Sequence, residues 1–319
     1  MNSQSELPRR SEREQVLRPL ATILRNDLMD SLRLADDLAR NPFVVAEALG
    51  VRVEYLAMGH GCGRLFRVRD GWAIVLPEMA NESRQRFACA HELGHYLVHA
   101  RRADVKQALA GWGRIWGEQR VEEWVCDLFA QELLLPERAL TSAIAALNLG
   151  TFMQITREFQ TSLQAAAIRI ATLSAAYAFV FATVPRERRT HLVVDWTATP
   201  PPIFLPARKR ISADSCFARS LASRRPLSDW EVDPLGVLRG WYHTEVTPLE
   251  RRQGVVALIH LNRRQNKGPW RQLPLTLGSD SAISESSPGL VNEGRAKQSL
   301  NGATKDRDTA IDSVTRNIL

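Results

Sequence analysis

Residues 84–95 read Arg84-Gln85-Arg86-Phe87-Ala88-Cys89-Ala90-His91-Glu92-Leu93-Gly94-His95, and the rest of the chain is interpreted outward from them. Asn81 suits the N-cap of a helix along which Arg84, Phe87, Ala88, His91, Leu93 and His95 follow. Residues i and i+4 share one helix face. His91 and His95 can therefore both turn an imidazole nitrogen toward one ion. Glu92 then stands beside the ion rather than on it, where a carboxylate can take a proton from a water held there. The flanks, Phe87 to Ala90 and Tyr96-Leu97-Val98, are apolar and helix-compatible. Gly94 lowers helix propensity but leaves room for another segment to approach.

A catalytic zinc needs a third protein ligand and an open position. The metzincin arrangement requires glycine at 98 and histidine at 101; Val98 and Arg101 exclude it. The alternative is a glutamate from a later helix, predicted from Glu118 to Leu135 and stopped by Pro136. Glu118, Glu122, Glu123 and Glu132 are the candidates. Glu123 is favoured because Asp127 lies four residues on, where it can accept the second ring N–H of a ligating histidine. Trp124-Val125-Cys126 and Leu128-Phe129-Ala130 make that helix largely buried, so its carboxylates need pairing or a metal. The ordinary alternative is that His91 and His95 are polar or core residues of no special role. His99 reads as a helix-end residue favoured by the C-terminal dipole, and Cys89 and Cys126 as core cysteines.

The chain has 319 residues, 45% of them hydrophobic and 24% charged, enough for two or three domains with full cores. Its four cysteines form no CxxC pair, which argues against a zinc knuckle or a thioredoxin-like motif. The polar start and the lack of an apolar run of about 18 residues predict a cytoplasmic protein with reduced thiols. The net charge of +7 is spread over Arg186-Glu187-Arg188-Arg189, Arg208-Lys209-Arg210, Arg251-Arg252 and Arg263-Arg264. It reads as a solvated, arginine-rich surface rather than a nucleic-acid footprint.

Residues 1–18 are polar and mixed in charge, as a disordered arm would be. Leu20 to Leu49 is helical, with a break at Asn41-Pro42 and Gly50 at the end. Val51–Leu56, Arg64–Arg69 and Trp72–Leu76 read as strands, the last two joined at Asp70-Gly71. Ala100 to Gly117 is a variable stretch. Thr141 to Ala176 is alanine-rich and divides into short helices near Asn148–Thr151 and Gln160–Ser162. Strand character begins at Tyr177, with strands at Ala178–Val184, His191–Trp196 and Gly254–Leu261. From about Gly278 the composition is that of a disordered tail.

Residues 84–95 and the run Glu123-Trp124-Val125-Cys126-Asp127 through Leu133-Leu134-Leu135-Pro136 resemble the ImmA/IrrE family of metallo-endopeptidases. Asp127 stands where that family commonly has asparagine, and Leu135 where it has methionine. The resemblance implies that His91, His95 and Glu123 bind zinc, with manganese as an alternative, and that Glu92 is the general base. It implies an α+β fold in which a small zincin-like peptidase domain with a three-stranded sheet (19–140) follows the arm. A helix-turn-helix-like segment (141–176), a mixed α/β GAF-like sensor domain (177–275) that binds a small ligand, and a tail (276–319) complete the chain.

The implied activity is gluzincin-like cleavage of a helix-turn-helix repressor, relieving a stress or mobile-element response. The alternative is a DNA-binding or ligand-sensing regulator with a structural metal site. Thr161 to Ala166 resembles the start of a recognition helix. Arg169 is the sole basic residue there, however, so a structural or docking role is favoured over phosphate and base contacts. No oxyanion stabiliser is named: helix geometry turns Tyr96 away from the His91/His95 face.

Overall fold

The alternating run at 51–56 and the two runs flanking residues 69–70 give a three-stranded sheet. In the computed structural model, residues 10–57, 62–100, 102–185, 191–232, 235, 238–249 and 253–265 are described. β1 (Val51–Leu56) runs parallel to β3 (Gly71–Pro77), and β2 (Arg64–Val68) pairs antiparallel with the other edge of β3. The order β1-β3-β2 leaves the central strand with the continuous apolar run Ala73 to Leu76, which is buried. Val68 pairs with Gly71, so the tight turn is Arg69-Asp70, one residue earlier than its sequence signal. Gly71 begins β3 at φ +138, a backbone conformation that side-chain-bearing residues rarely adopt.

α2 (Pro42–Ala48) and α3 (Glu82–Ala100) pack on this sheet; α5 (Glu118–Leu134) packs on α3, and α1 (Arg10–Leu32) and α4 (Arg102–Trp116) pack on α5. The Asn41 side chain accepts the Phe43 N–H with Pro42 at the first helical position, and Asn81 accepts the Arg84 N–H at 2.9 Å. α3 and α5 lie against each other through Leu93, Leu97, Val125 and Phe129, all buried.

Two expectations change here. Residues 10–18, read as part of a disordered arm, are the first turns of α1, while 1–9 lie outside the described residues. Leu17, Ala21, Leu24 and Leu28 are buried at helical spacing. The charges around them conceal a narrow apolar stripe that only α5 makes useful. The variable stretch 100–117 is also mostly helical, as α4. Trp112 stacks on Trp116 at 4.8 Å, Trp116 meets Trp124 of α5 edge-on at 5.9 Å, and the Arg13 guanidinium of α1 lies 4.7 Å over Trp124.

α6 (Glu137–Ala145), α7 (Leu149–Glu158) and α8 (Leu163–Leu173) follow, with Asn148 and Ser162 capping the latter two. Then come β4 (Tyr177–Thr183), β5 (Val193–Ala198), α9 (Cys216–Ser223), β6 (Leu227–Val232), β7 (Trp241–Leu249) and β8 (Gly254–Gln265). The five strands form one antiparallel sheet in the order β5-β4-β8-β7-β6. β6 and β7 were not anticipated from the sequence. Alternate residues of β4 and β8 serve two cores. Tyr177, Phe179, Val256 and Leu258 join the core that contains α7 and α8, with Phe152 and Phe179 rings 4.6 Å apart. Ala178, Val180, Ala257 and Ile259 face the other way and pack with Phe217 of α9. The change at Tyr177 is one of secondary structure; the hydrophobic core continues through it.

Arg169 on α8 is fully buried. Its guanidinium pairs with Glu132 of α5 at 2.7 Å, and its Nε–H donates to the Leu135 carbonyl at 3.0 Å. Arg18 of α1 reaches the same Glu132 oxygen at 3.0 Å. Burial lowers the Arg169 pKa to about 10, which leaves the side chain charged at neutral pH. Every residue from Leu163 to Leu173 is buried or partly buried. Among the described residues no helix is long and apolar enough to cross a membrane. The predicted tail, Arg186–Arg189 and Arg251-Arg252 lie outside the described residues.

Removing one partner of a buried ion pair strands the other charge. Arg169→Leu is expected to destabilise the protein by about 3 kcal/mol, with Arg18 retaining part of the Glu132 interaction. Urea denaturation with far-UV detection checks this; a change within experimental error would show that the pair contributes little.

Candidate metal centre

Gly94 is what allows α3 and α5 to meet. A Cβ there would lie 3.0 Å from the Cys126 Cα and 3.1 Å from its Cβ. With no side chain in the way, the face of α3 bearing His91 and His95 lies directly under the α5 turn that carries Glu122, Glu123 and Asp127.

The two imidazoles turn their Nε2 atoms toward each other, 3.2 Å apart. Glu123 closes the triangle, with one carboxylate oxygen 3.3 Å from His91 Nε2 and the other 3.6 Å from His95 Nε2. One ligand atom from each of the three residues falls within 4.8 Å of the others. Zinc bonds of about 2.0–2.1 Å in a tetrahedron have ligand atoms about 3.3 Å apart. The donor set therefore fits a tetrahedral zinc ion, with the Nε2–Nε2 separation close to that edge length. Glu123 is about half-exposed, which leaves the triangle open on one side.

Each imidazole is held from behind. His91 Nδ1 lies 2.9 Å from Asp127 Oδ1, and His95 Nδ1 lies 2.8 Å from Glu122 Oε1. A carboxylate only accepts, so each Nδ1 donates its proton there and the Nε2 atoms are the ones left to bind a metal. Asp127 is thus the partner of His91 Nδ1. Glu122, weighed in the sequence as a ligand, supports His95 instead. Its signal was its adjacency to Glu123, because neighbouring helix positions diverge by about 100° and can serve opposite sides of one imidazole pair. Glu132 is held by Arg18 and Arg169, and Glu118 sits against Gly113; neither joins the cluster. His99 stacks on Trp72 at 5.8 Å and approaches Glu122 no closer than 3.8 Å, while Tyr96 meets Trp72 edge-on.

Glu92 is buried between these elements. Burial pushes its pKa up, against the lowering effect of His91, His95 and a hydrogen bond from the Leu65 backbone. Sequence reasoning missed that last contact, because a strand edge carries no residue-type signal. Burial opposes the charge on His91, but hydrogen bonds with Asp127 and Glu123 outweigh it and push the pKa up to about 9. Burial likewise opposes the charge on His95, and its bonds to Cys126, Glu122 and Glu123 raise it regardless. Hydrogen bonds from both histidines hold the Glu123 carboxyl well below the usual carboxylate range. The Cys89 and Cys126 thiols are each pushed up to about 12, chiefly by burial, which suits core residues.

Residues 46–171 match the peptidase family described as the IrrE N-terminal-like domain. The match takes in α3 and α5, which carry His91, His95 and Glu123, and supports a metallopeptidase. A solved structure of a Mycobacterium tuberculosis transcriptional regulator is similar over 85% of this chain and 96% of that one, at 12% identity and a TM-score of 0.47. That likeness is too slight to bear on fold or function. No curated protein matches the sequence.

Two outcomes follow from this geometry. Gly94→Ala gains about 1 kcal/mol of helix propensity but forces a methyl against backbone, an overpacking cost of about 1–3 kcal/mol. Zinc affinity is expected to fall at least tenfold as α3 and α5 separate, read by competition with a chromophoric chelator; unchanged affinity would show that the contact can relax. Second, raised imidazole pKa values mean that the metal-free site is protonated at pH 7, whereas metal binds the neutral ring. Zinc binding is expected to release about one to two protons and to weaken as pH falls below about 9. Calorimetry in buffers of different ionisation enthalpy measures that release, and a zero result would contradict the assignment of the charged state.

Proposed function

We propose that the chain is a zinc-dependent endopeptidase of gluzincin-like type whose substrate is a helix-turn-helix transcriptional repressor. The observation that carries the reading is the His91/His95/Glu123 triangle, open on one side, with the buried carboxylate of Glu92 beside it. A structural zinc site is closed by four protein ligands and has no use for a base. Among the described residues this one has three ligands and a half-exposed edge.

His91, His95 and Glu123 would hold the ion. When bound, zinc supplies a Lewis acid that polarises the scissile carbonyl and acidifies the attacking water. Glu92 receives the proton of that water and hands it to the leaving amine nitrogen. Its raised pKa moves it toward the range in which a base both accepts and returns a proton near neutral pH. Asp127 and Glu122 position the imidazoles through their Nδ1–H groups and touch no substrate. β2 pairs only with β3 among the described residues, and its Leu65 N–H bonds to Glu92. An extended peptide added along that edge would pass its carbonyls by the base.

The five-stranded sheet with α9 would act as a GAF-like sensor for a small ligand. It shares a core with α7 and α8, which gives a ligand-induced change a packed route toward α5. α8 has a structural role in this reading, with Arg169 committed to Glu132. The site would work in the cytoplasm, with manganese able to replace zinc.

The deciding experiment incubates the zinc-loaded protein with the purified repressor encoded beside it. Glu92→Gln keeps the ligands and removes the base. Cleavage is expected to drop by about 10²–10⁴-fold with metal content unchanged. Cleavage at the wild-type rate would sink the mechanism; loss of metal with loss of cleavage would instead make Glu92 a ligand.

A further inference from the structure

A second group of ligand-type side chains lies on the C-terminal sheet. His243 and Glu245 are two residues apart on β7 and so share a face, and His260 on β8 is registered opposite His243. One ligand atom from each lies within 4.8 Å of the others. The two imidazole rings are 4.9 Å apart, the same centroid separation as His91 and His95.

The hydrogen bonds around this group hold its members from outside. Glu245 Oε2 accepts the Leu149 N–H at the start of α7, 2.7 Å away, while Oε1 meets His260 Nε2 at 2.7 Å. His243 Nε2 lies 3.0 Å from Ser228 Oγ. His243 Nδ1 is buried and has no hydrogen-bond partner among the described residues. In the tautomer whose Nε2–H donates to Ser228, Nδ1 keeps a lone pair with no donor beside it. A buried ring nitrogen in that state carries an unrepaid desolvation cost, which a ligand bond removes. An imidazole fixed through one nitrogen and a carboxylate fixed through one oxygen are the usual arrangement behind metal ligands.

We infer that His243, Glu245 and His260 form a second metal site, for a divalent ion of the zinc type, at the seam between the C-terminal sheet and α7. A lone ion pair accounts for the Glu245–His260 contact but leaves His243 Nδ1 unexplained. Ion entry requires that contact to open from hydrogen-bond length toward the about 3.3 Å of a tetrahedral edge, within reach of side-chain rotation. Two imidazoles and a carboxylate favour zinc or a neighbouring transition ion over calcium or magnesium.

The test uses the full chain without a polyhistidine tag, stripped of metal, in the His91→Ala/His95→Ala background that removes the first site. Titration with zinc ions against a chromophoric chelator is expected to show one remaining equivalent, and cobalt is expected to give visible d–d absorption. Both signals should disappear on further substitution of His243→Ala. Glu245→Gln, whose amide oxygen can still accept the Leu149 N–H, should weaken zinc binding at least tenfold while far-UV circular dichroism stays unchanged. This second variant decides the matter if His243→Ala does not fold. No zinc bound in the His91→Ala/His95→Ala protein, or a bound equivalent indifferent to Glu245→Gln, overturns the inference. None of these readouts involves peptidase activity, so the result stands apart from the proposed reaction.

Discussion

The close approach of α3 and α5 at Gly94 is the constraint on which the rest depends. A side chain at 94 would meet the backbone of Cys126. Its absence lets two helices that are otherwise unremarkable amphipathic elements press together. Each contributes half of a polar cluster that neither could bury alone. Two imidazoles at 3.2 Å and three carboxylates nearby would be costly in an apolar interface without mutual pairing. The packing of Leu93, Leu97, Val125 and Phe129 around them maintains that pairing.

The same principle of outside support recurs through the molecule. Asp127 and Glu122 fix the ring orientations of His91 and His95. Glu132 gathers Arg18 and Arg169 and so ties α1, α5 and α8 together inside the core. Glu245 bonds both His260 and the first turn of α7. In the last two cases a carboxylate from one element is satisfied by groups from two others, and the polar interaction specifies which elements meet. Hydrophobic contact supplies the cohesion but has no comparable directionality.

Much of the candidate site could be read from local spacing. His91, Glu92 and His95 follow from a helical period, and Glu123 with Asp127 from another, because i and i+4 residues are neighbours whatever the remainder of the fold does. The first sheet was legible for the same reason: Val51–Leu56 alternates, and the two runs around residues 69–70 bracket a tight turn. The first turns of α1 and all of α4 were missed because their apolar stripes are narrow and set among charges or tryptophans. Their helicity depends on α5 being there to cover them.

By itself, the sequence determined the chemistry available to the site: two imidazoles, a carboxylate beside them, and a downstream pair of acids at helical spacing. Tertiary structure alone decided which acid does what. Glu122, Glu123 and Glu132 are the same residue type within ten positions of one helix. One supports His95, one faces both Nε2 atoms, and one is buried between two arginines. Their roles diverge because a helix rotates successive side chains by about 100°, and the partner in each direction comes from a segment remote in the chain. The pairing of β7 with β8 that unites His243, Glu245 and His260 was equally beyond local reading. Register is set by the hydrophobic patterns of both strands and by the turn between them, and β7 carries too weak an alternating pattern to be read as a strand.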